Sequence, residues 1–245
     1  MAVLSHEGTF PIMYGAVPLP IGAGHRTGYL ARPDEAGVFP VVIVLPDLDG
    51  LDGFEKDVCR RMARSGIAAI GVDLYRSDQD PLAAYNELTD TRAMTDLDEV
   101  HEYVVSDDVS WNAGDRVGLL GLDVGGRFAL LKAARSAWVG ATAVCYSPLT
   151  GDENRELQVA DSLSHLPVPT LGIYAADDEL IDVASVDEAQ DRNPNGQWLL
   201  YQGVGHGFIN PDSPAFDQSA ADDAVARIIA FFQQTLPRAQ VEELG

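Results

Sequence analysis

An α/β fold, with a mostly parallel central sheet covered by helices on both faces, is what this sequence predicts. Two observations carry the prediction. Short runs rich in aliphatic and β-branched residues alternate with helical patterns along the chain. The segment Gly121-Leu-Asp-Val-Gly125 sits between such a run and such a helix, as a glycine-bracketed turn at the edge of an open sheet would. At 245 residues the chain fits one compact domain, 1–245, with 1–26 and 237–245 peripheral to it.

Each element follows from local pattern. A first strand at 27–31, after a Gly- and Pro-rich stretch, is expected to pair antiparallel at the sheet edge. Apolar runs predict further strands at 41–45, 68–74, 117–122, 141–146, 170–174 and 198–201. Between them, 55–64, 86–105 and 127–137 read as helices. The last helix is the clearest: Val225, Ile228, Ile229 and Phe232 follow i, i+3, i+4, i+7 spacing and bury one stripe on the sheet. Ser219, Asp222 and Asp223 lie near its start, where negative charge suits the helix dipole. No internal repeat is present, and the tail from Pro237 is expected to be mobile.

Composition narrows the function classes. Hydrophobic residues make up 46%, enough for a packed core. No apolar run reaches the roughly 18 residues of a membrane span, and no basic-then-apolar leader opens the chain. Cys59 and Cys145 are isolated, which suggests a reducing cytoplasm rather than a disulfide framework. The net charge of −22 argues against nucleic acid and against anionic membranes as partners. Among sixteen basic residues only Lys56 and Lys132 are lysines. An acid-rich, lysine-poor surface suits a salty cytoplasm, and a GC-rich genome produces the same arginine bias; composition does not separate the two. A small-molecule substrate, acted on by a monomer or small homo-oligomer, fits this profile.

The chemistry concentrates in three segments. In Val117-Gly-Leu-Leu-Gly-Leu-Asp-Val-Gly-Gly, a buried strand runs into a turn of the G-x-nucleophile-x-G type, with Asp123 at its tip. A side chain there sits at a helix N-terminus, where backbone N–H groups favour an anion. A capped, glycine-rich turn without chemistry is the plain reading of this segment taken alone. Two later segments weigh against it. Leu171-Gly-Ile-Tyr-Ala-Ala-Asp-Asp-Glu ends a strand in acids, and Tyr201-Gln-Gly-Val-Gly-His-Gly-Phe places a histidine between glycines. Elbow, acid, histidine is the chain order of a hydrolase triad. Asp123, Asp178 and His206 are therefore the candidates, with Asp177 competing for the acid's place.

Gly205-His-Gly-Phe208, Gly71-Val-Asp-Leu-Tyr-Arg76 and the elbow ending in Gly125-Gly126 resemble the dienelactone hydrolase family, over most of the chain from about Gly28 to Phe232. The resemblance implies an α/β-hydrolase fold without a cap domain; the interval from Tyr146 to Thr170 is too short for one. It implies an acid after the first central strand, Asp47, and oxyanion donors at the backbone N–H groups of Leu48 and Val124. It also implies substrate contacts from Arg76, where the family often recognises a carboxylate, and Tyr146 facing the pocket. A surface role for Arg76 and a packing role for Tyr146 remain open on the residues alone.

One departure governs the chemistry. The family's elbow residue is a cysteine, or a serine in some relatives, whereas this chain has Asp123. Aspartate nucleophiles on this fold attack saturated carbon and give an ester that activated water cleaves. Attack on an ester carbonyl would give a high-energy anhydride. The sequence thus supports a hydrolase of a small polar lactone, ester or epoxide with Asp123 as nucleophile or base. A non-hydrolytic acid–base enzyme using Asp123, Asp47 and His206, such as a cyclase, isomerase or lyase, is the second reading. An inactive binding protein is the third. Asn210 stands where an arginine could have completed anion recognition. No cofactor or metal is expected: Asp47, Asp49 and Asp52 lack the spacing of a calcium loop, and the histidines are scattered. Cys145 has no elbow around it and reads as a buried thiol.

Overall fold

A computed structural model describes residues 8–75 and 80–241. Strand β1 (Ile12–Leu19) pairs antiparallel with β2 (Arg26–Pro33). A short β3 (Gly37–Val38) precedes the fully buried β4 (Val41–Leu45). Then come α1 (Gly53–Arg64), β5 (Ala68–Gly71), α2 (Pro81–Glu87), α3 (Asp90–Val104) and β6 (Val117–Leu122). The second half runs α4 (Val124–Ala133), β7 (Val139–Cys145), α5 (Val159–Leu163), β8 (Thr170–Ala175), α6 (Val183–Arg192), β9 (Gln197–Tyr201), α7 (Gln218–Thr235) and β10 (Gln240–Val241). Eight strands form one sheet in the order β1-β2-β5-β4-β6-β7-β8-β9, parallel from β5 to β9.

The core follows from the period-2 alternation of strand side chains. Val41, Ile43 and Leu45 of β4 face a layer containing Leu97 and Val100 of α3, Phe128 of α4 and Val186 of α6. Val42 and Val44 face the opposite layer, where Val58 and Met62 of α1 meet Ile228 and Phe232 of α7. With both faces covered, the central strands read as unbroken apolar runs, which is why they were visible in the sequence.

Several elements differ from the sequence expectation. The helix expected at 86–105 is two, because Leu88 turns extended and Thr89 caps a new helix by accepting from the Arg92 N–H at 3.1 Å. Residues 12–19, inside a segment expected to be peripheral, form the edge strand, and the stretch expected at the edge lies one strand inward. Helix α4 begins three residues before its expected start, immediately after the turn at Asp123. Helices α5 and α6 were not foreseen; α6 is announced by Asp182, which accepts from Ala184 N–H at 3.0 Å. Of the tail expected to be mobile, Gln240 and Val241 pair with Val38 and Gly37.

Candidate active site

The elbow is forced by its glycines. A Cβ on Gly125 would overlap the carbonyl oxygens of Leu45 and Pro46, and one on Gly121 would overlap Gly126. The helix can therefore start close against β4, and the intervening residue takes the strain: Asp123 has φ 47° and ψ −121°. A non-glycine residue held there costs on the order of 1–3 kcal/mol, and such strain clusters at functional sites. Asp123 makes no capping hydrogen bond to its own helix. Its carboxylate points away into a cavity of about 380 Å³ that Asp47, Tyr146 and His206 also line.

His206 arrives on the loop after β9, between Gly205 and a left-handed Gly207 at φ 75°. Its Nδ1 lies 2.9 Å from Asp178 Oδ2 and 3.1 Å from Oδ1. Asp178 is fixed in turn: its Oδ1 accepts from the Leu180 and Ile181 N–H groups at 2.8 and 3.0 Å, and its side chain is fully buried. This arrangement holds the proton on Nδ1 and leaves Nε2 facing the elbow, 3.5 Å from Asp123 Oδ1. Asp177, the competitor, is exposed, and its backbone N–H serves Val204. The structure thus brings Asp123, His206 and Asp178 together at the C-terminal ends of β6, β9 and β8.

Asp47 follows β4 in an Asx turn, its Oδ1 accepting from Asp49 N–H at 2.9 Å. Burial pushes its carboxyl up to about 6; the Asp49 N–H opposes this, while the charges of Asp49, Asp123 and Asp52 add to it. Tyr75, donating from its hydroxyl to Pro46 O at 2.9 Å, pins the backbone from which Asp47 projects. For His206, burial disfavours the charged ring, but hydrogen bonding and charge from Asp123 and then Asp178 outweigh it and raise the pKa above its ordinary 6.5. Val124 is the first residue of α4, so its N–H belongs to the helix-end amides with no partner inside the helix. Leu48 lies on the same cavity wall as Asp47.

Tyr146 has φ 40°, is 2% exposed, and sets its ring edge-to-face against His206 at 5.1 Å. Burial raises its phenol well above 10, so it stays protonated. Arg76 lies outside the described residues. Two acids were missed by motif reading. Glu55 is fully buried behind Asp52, and Asp212 joins the cavity from the loop beyond the histidine motif. A Glu three residues after Asp52 was the available signal for the first, as a capping box; nothing local marked the second. The calcium-like loop resolves the same way, since Asp52 caps α1 by accepting from Phe54 N–H at 2.6 Å.

The dienelactone hydrolase family model matches residues 27–236. The chain belongs to that family. A relative from Escherichia coli K12, assigned the name carboxymethylenebutenolidase, is 30% identical over 242 residues, covering 91% of this chain and 88% of its own. A Bradyrhizobium protein, assigned the name 2-oxo-3-(5-oxofuran-2-ylidene)propanoate lactonase, is 29% identical over 81% of this chain and 85% of its own. A solved structure from Klebsiella pneumoniae, assigned as a dienelactone hydrolase, superposes with a TM-score of 0.83 at 27% identity, covering 91% of this chain and 99% of that one. A Pyrobaculum calidifontis esterase shares the fold at TM-score 0.65 and 22% identity, covering 93% of this chain and 86% of the esterase. This family member is thus a hydrolase of the α/β-hydrolase superfamily, and among its described residues no helix is long and apolar enough to cross a membrane.

Proposed function

We propose that this hydrolase opens a small polar epoxide, or a lactone at its alkyl carbon, by attack of the Asp123 carboxylate. The observation that carries the reading is the placement of Asp123: strained on the elbow, facing the cavity, with His206 Nε2 3.5 Å from Oδ1. Carboxylate attack on a saturated carbon breaks the C–O bond and leaves an alkyl ester on Asp123. For an epoxide the departing oxygen needs a proton, and Asp47, with a pKa of about 6, is the donor in the same cavity. Esterification then removes the negative charge that had raised the His206 pKa. The ring releases its proton to solvent in the open cavity and becomes the base for water.

Water attacks the ester carbonyl, its proton passing to His206, while the N–H groups of Leu48 and Val124 face the developing oxyanion. Collapse expels the alcohol, which takes the proton from His206. Asp123 and Asp47 are left sharing the remaining proton and His206 takes back one from solvent, so the enzyme is regenerated and the sum is substrate plus water. The names of the two relatives describe lactones, and ring-opening hydrolysis is common to both chemistries.

The test is intact-protein mass spectrometry of the variant His206→Gln with glycidol, a small neutral epoxide. The variant keeps the nucleophile and removes the base, so an adduct of the epoxide's mass should accumulate, and none should form when Asp123→Asn is added. Wild-type turnover with no adduct in His206→Gln would sink the nucleophile. It would favour the second reading, acid–base chemistry, which the raised pKa of Asp47 beside Asp123 supports. Inertness of the wild type toward epoxides and lactones alike would leave a binding role.

A further inference from the structure

Charge at the cavity separates substrates that the covalent chemistry alone would treat alike. Among the described residues lining it are Asp47, Asp49, Asp52, Asp123, Asp212 and His206, with no lysine or arginine. Protonated His206 is balanced by the buried Asp178 directly behind it. With Asp47 counted as neutral, four carboxylates still face or ring the cavity. Asp52 is fixed there as the α1 cap. Asp49 and Asp212 are exposed at the mouth, beside Leu180, an apolar side chain left 73% exposed. Asn210 contributes a neutral amide. The single positive charge of Arg76, outside the described residues, does not reverse this sum. The names of the two relatives both describe carboxylate-bearing substrates, and a carboxylate entering this cavity would meet uncompensated like charge.

We propose that this site rejects carboxylate-bearing substrates and prefers cationic electrophiles of quaternary-ammonium type, with Asp49 and Asp212 setting the preference at the mouth. The acids do not make the site; they select what enters a cavity defined by Asp123 and His206. Leu180 offers the methyl groups of such a cation an apolar contact. The proposal takes its reaction from the Asp123 reading, but its charge preference stands apart from that chemistry.

The experiment uses three epoxides that share the oxirane ring and differ in charge: glycidyl-trimethylammonium, glycidol and glycidate. At low ionic strength, kcat/KM should fall in that order for the wild type. A carboxylate about 8 Å from a substrate charge changes association of a monovalent ion about twofold in a water-like dielectric. Asp49→Asn with Asp212→Asn should therefore lower the cation-to-anion ratio about tenfold, and added salt should shrink the wild-type ratio in the same direction. Calorimetric titration of the wild type with the three corresponding diols reads the preference without chemistry. Tighter binding of the ammonium diol than of glycerate, with no epoxide turned over, would overturn the Asp123 reading and keep the charge preference. Glycidate turned over as well as the cation, or no preference in either assay, would overturn the proposal itself.

Discussion

In the mechanism we propose, Asp123 and Asp47 divide one task between two identical side chains, and environment assigns the parts. Asp123 occupies the head of a helix on a strained turn that aims its carboxylate into the cavity, where a nucleophile must stand. Asp47 is buried next to other acids, and desolvation favours the protonated form a donor needs. The sign of the pH dependence follows. If Asp47 must carry a proton, kcat/KM for an epoxide should be highest below the Asp47 pKa of about 6 and fall tenfold per pH unit above it. Asp47→Asn keeps the shape and removes the donor. Its rate should be about 100-fold lower, and that basic limb should be gone. A variant that keeps the limb would assign it to His206 instead, whose neutralisation also occurs on the alkaline side. Here the sequence told only part of the story: Asp47 was legible as the acid after the first central strand, but its protonation rests on burial by elements far away in the chain.

Helix α1 supports that part of the site through a capping box. Asp52 accepts from Phe54 N–H, and Glu55 accepts from Asp52 N–H at 3.2 Å. Glu55 is wholly buried, with its Oε1 lacking a hydrogen-bond partner. Burial, then its contact with Asp52, pushes its pKa up to about 9 from an ordinary 4.5. Between those values the folded protein holds a proton that the unfolded chain has released. Stability is then fully present below about 4.5 and declines as pH rises toward 9, by at most about 1.4 kcal/mol per pH unit. Glu55→Gln has a permanent donor and no charge to bury. Its melting temperature should match the wild type near pH 5, exceed it at pH 8–9, and show a shallower decline between; equal slopes would place the buried proton elsewhere. The capping pattern, the elbow glycines and the apolar parallel strands were readable because each is local. Strand β1 was not, since its residues alternate around Gly15 and Pro18 at a half-exposed edge, and neither was Asp212, which reaches the cavity only through the folded loop after Phe208.

At the scale of the whole molecule, a net charge of −22 makes self-repulsion a standing cost to the compact state. Paired charges offset little of it. Arg227–Asp223 and Arg192–Glu188 are helix-surface pairs at 2.6 Å with largely exposed side chains, of the kind whose net contribution is near zero. The buried Arg127–Asp90 pair is different: two guanidinium contacts at 2.7 and 3.2 Å tie α4 to α3, and the same carboxylate accepts from Leu157 N–H at 2.9 Å. Salt leaves such a buried pair almost untouched while it screens the surface, the Debye length falling from about 30 Å at 0.01 M to about 3 Å at 1 M. Added chloride therefore weakens a few exposed attractions worth little and removes a long-range repulsion summed over the whole acidic excess. The second effect should win. Thermal melts from 0.01 M to 1 M sodium chloride at fixed pH should show a rising midpoint, and a neutral osmolyte serves as the control for general solvent exclusion. A midpoint that stays flat or falls would mean that the acids are already spaced widely enough to ignore one another. The arginine-for-lysine bias would then be a property of the genome rather than an adaptation to salt.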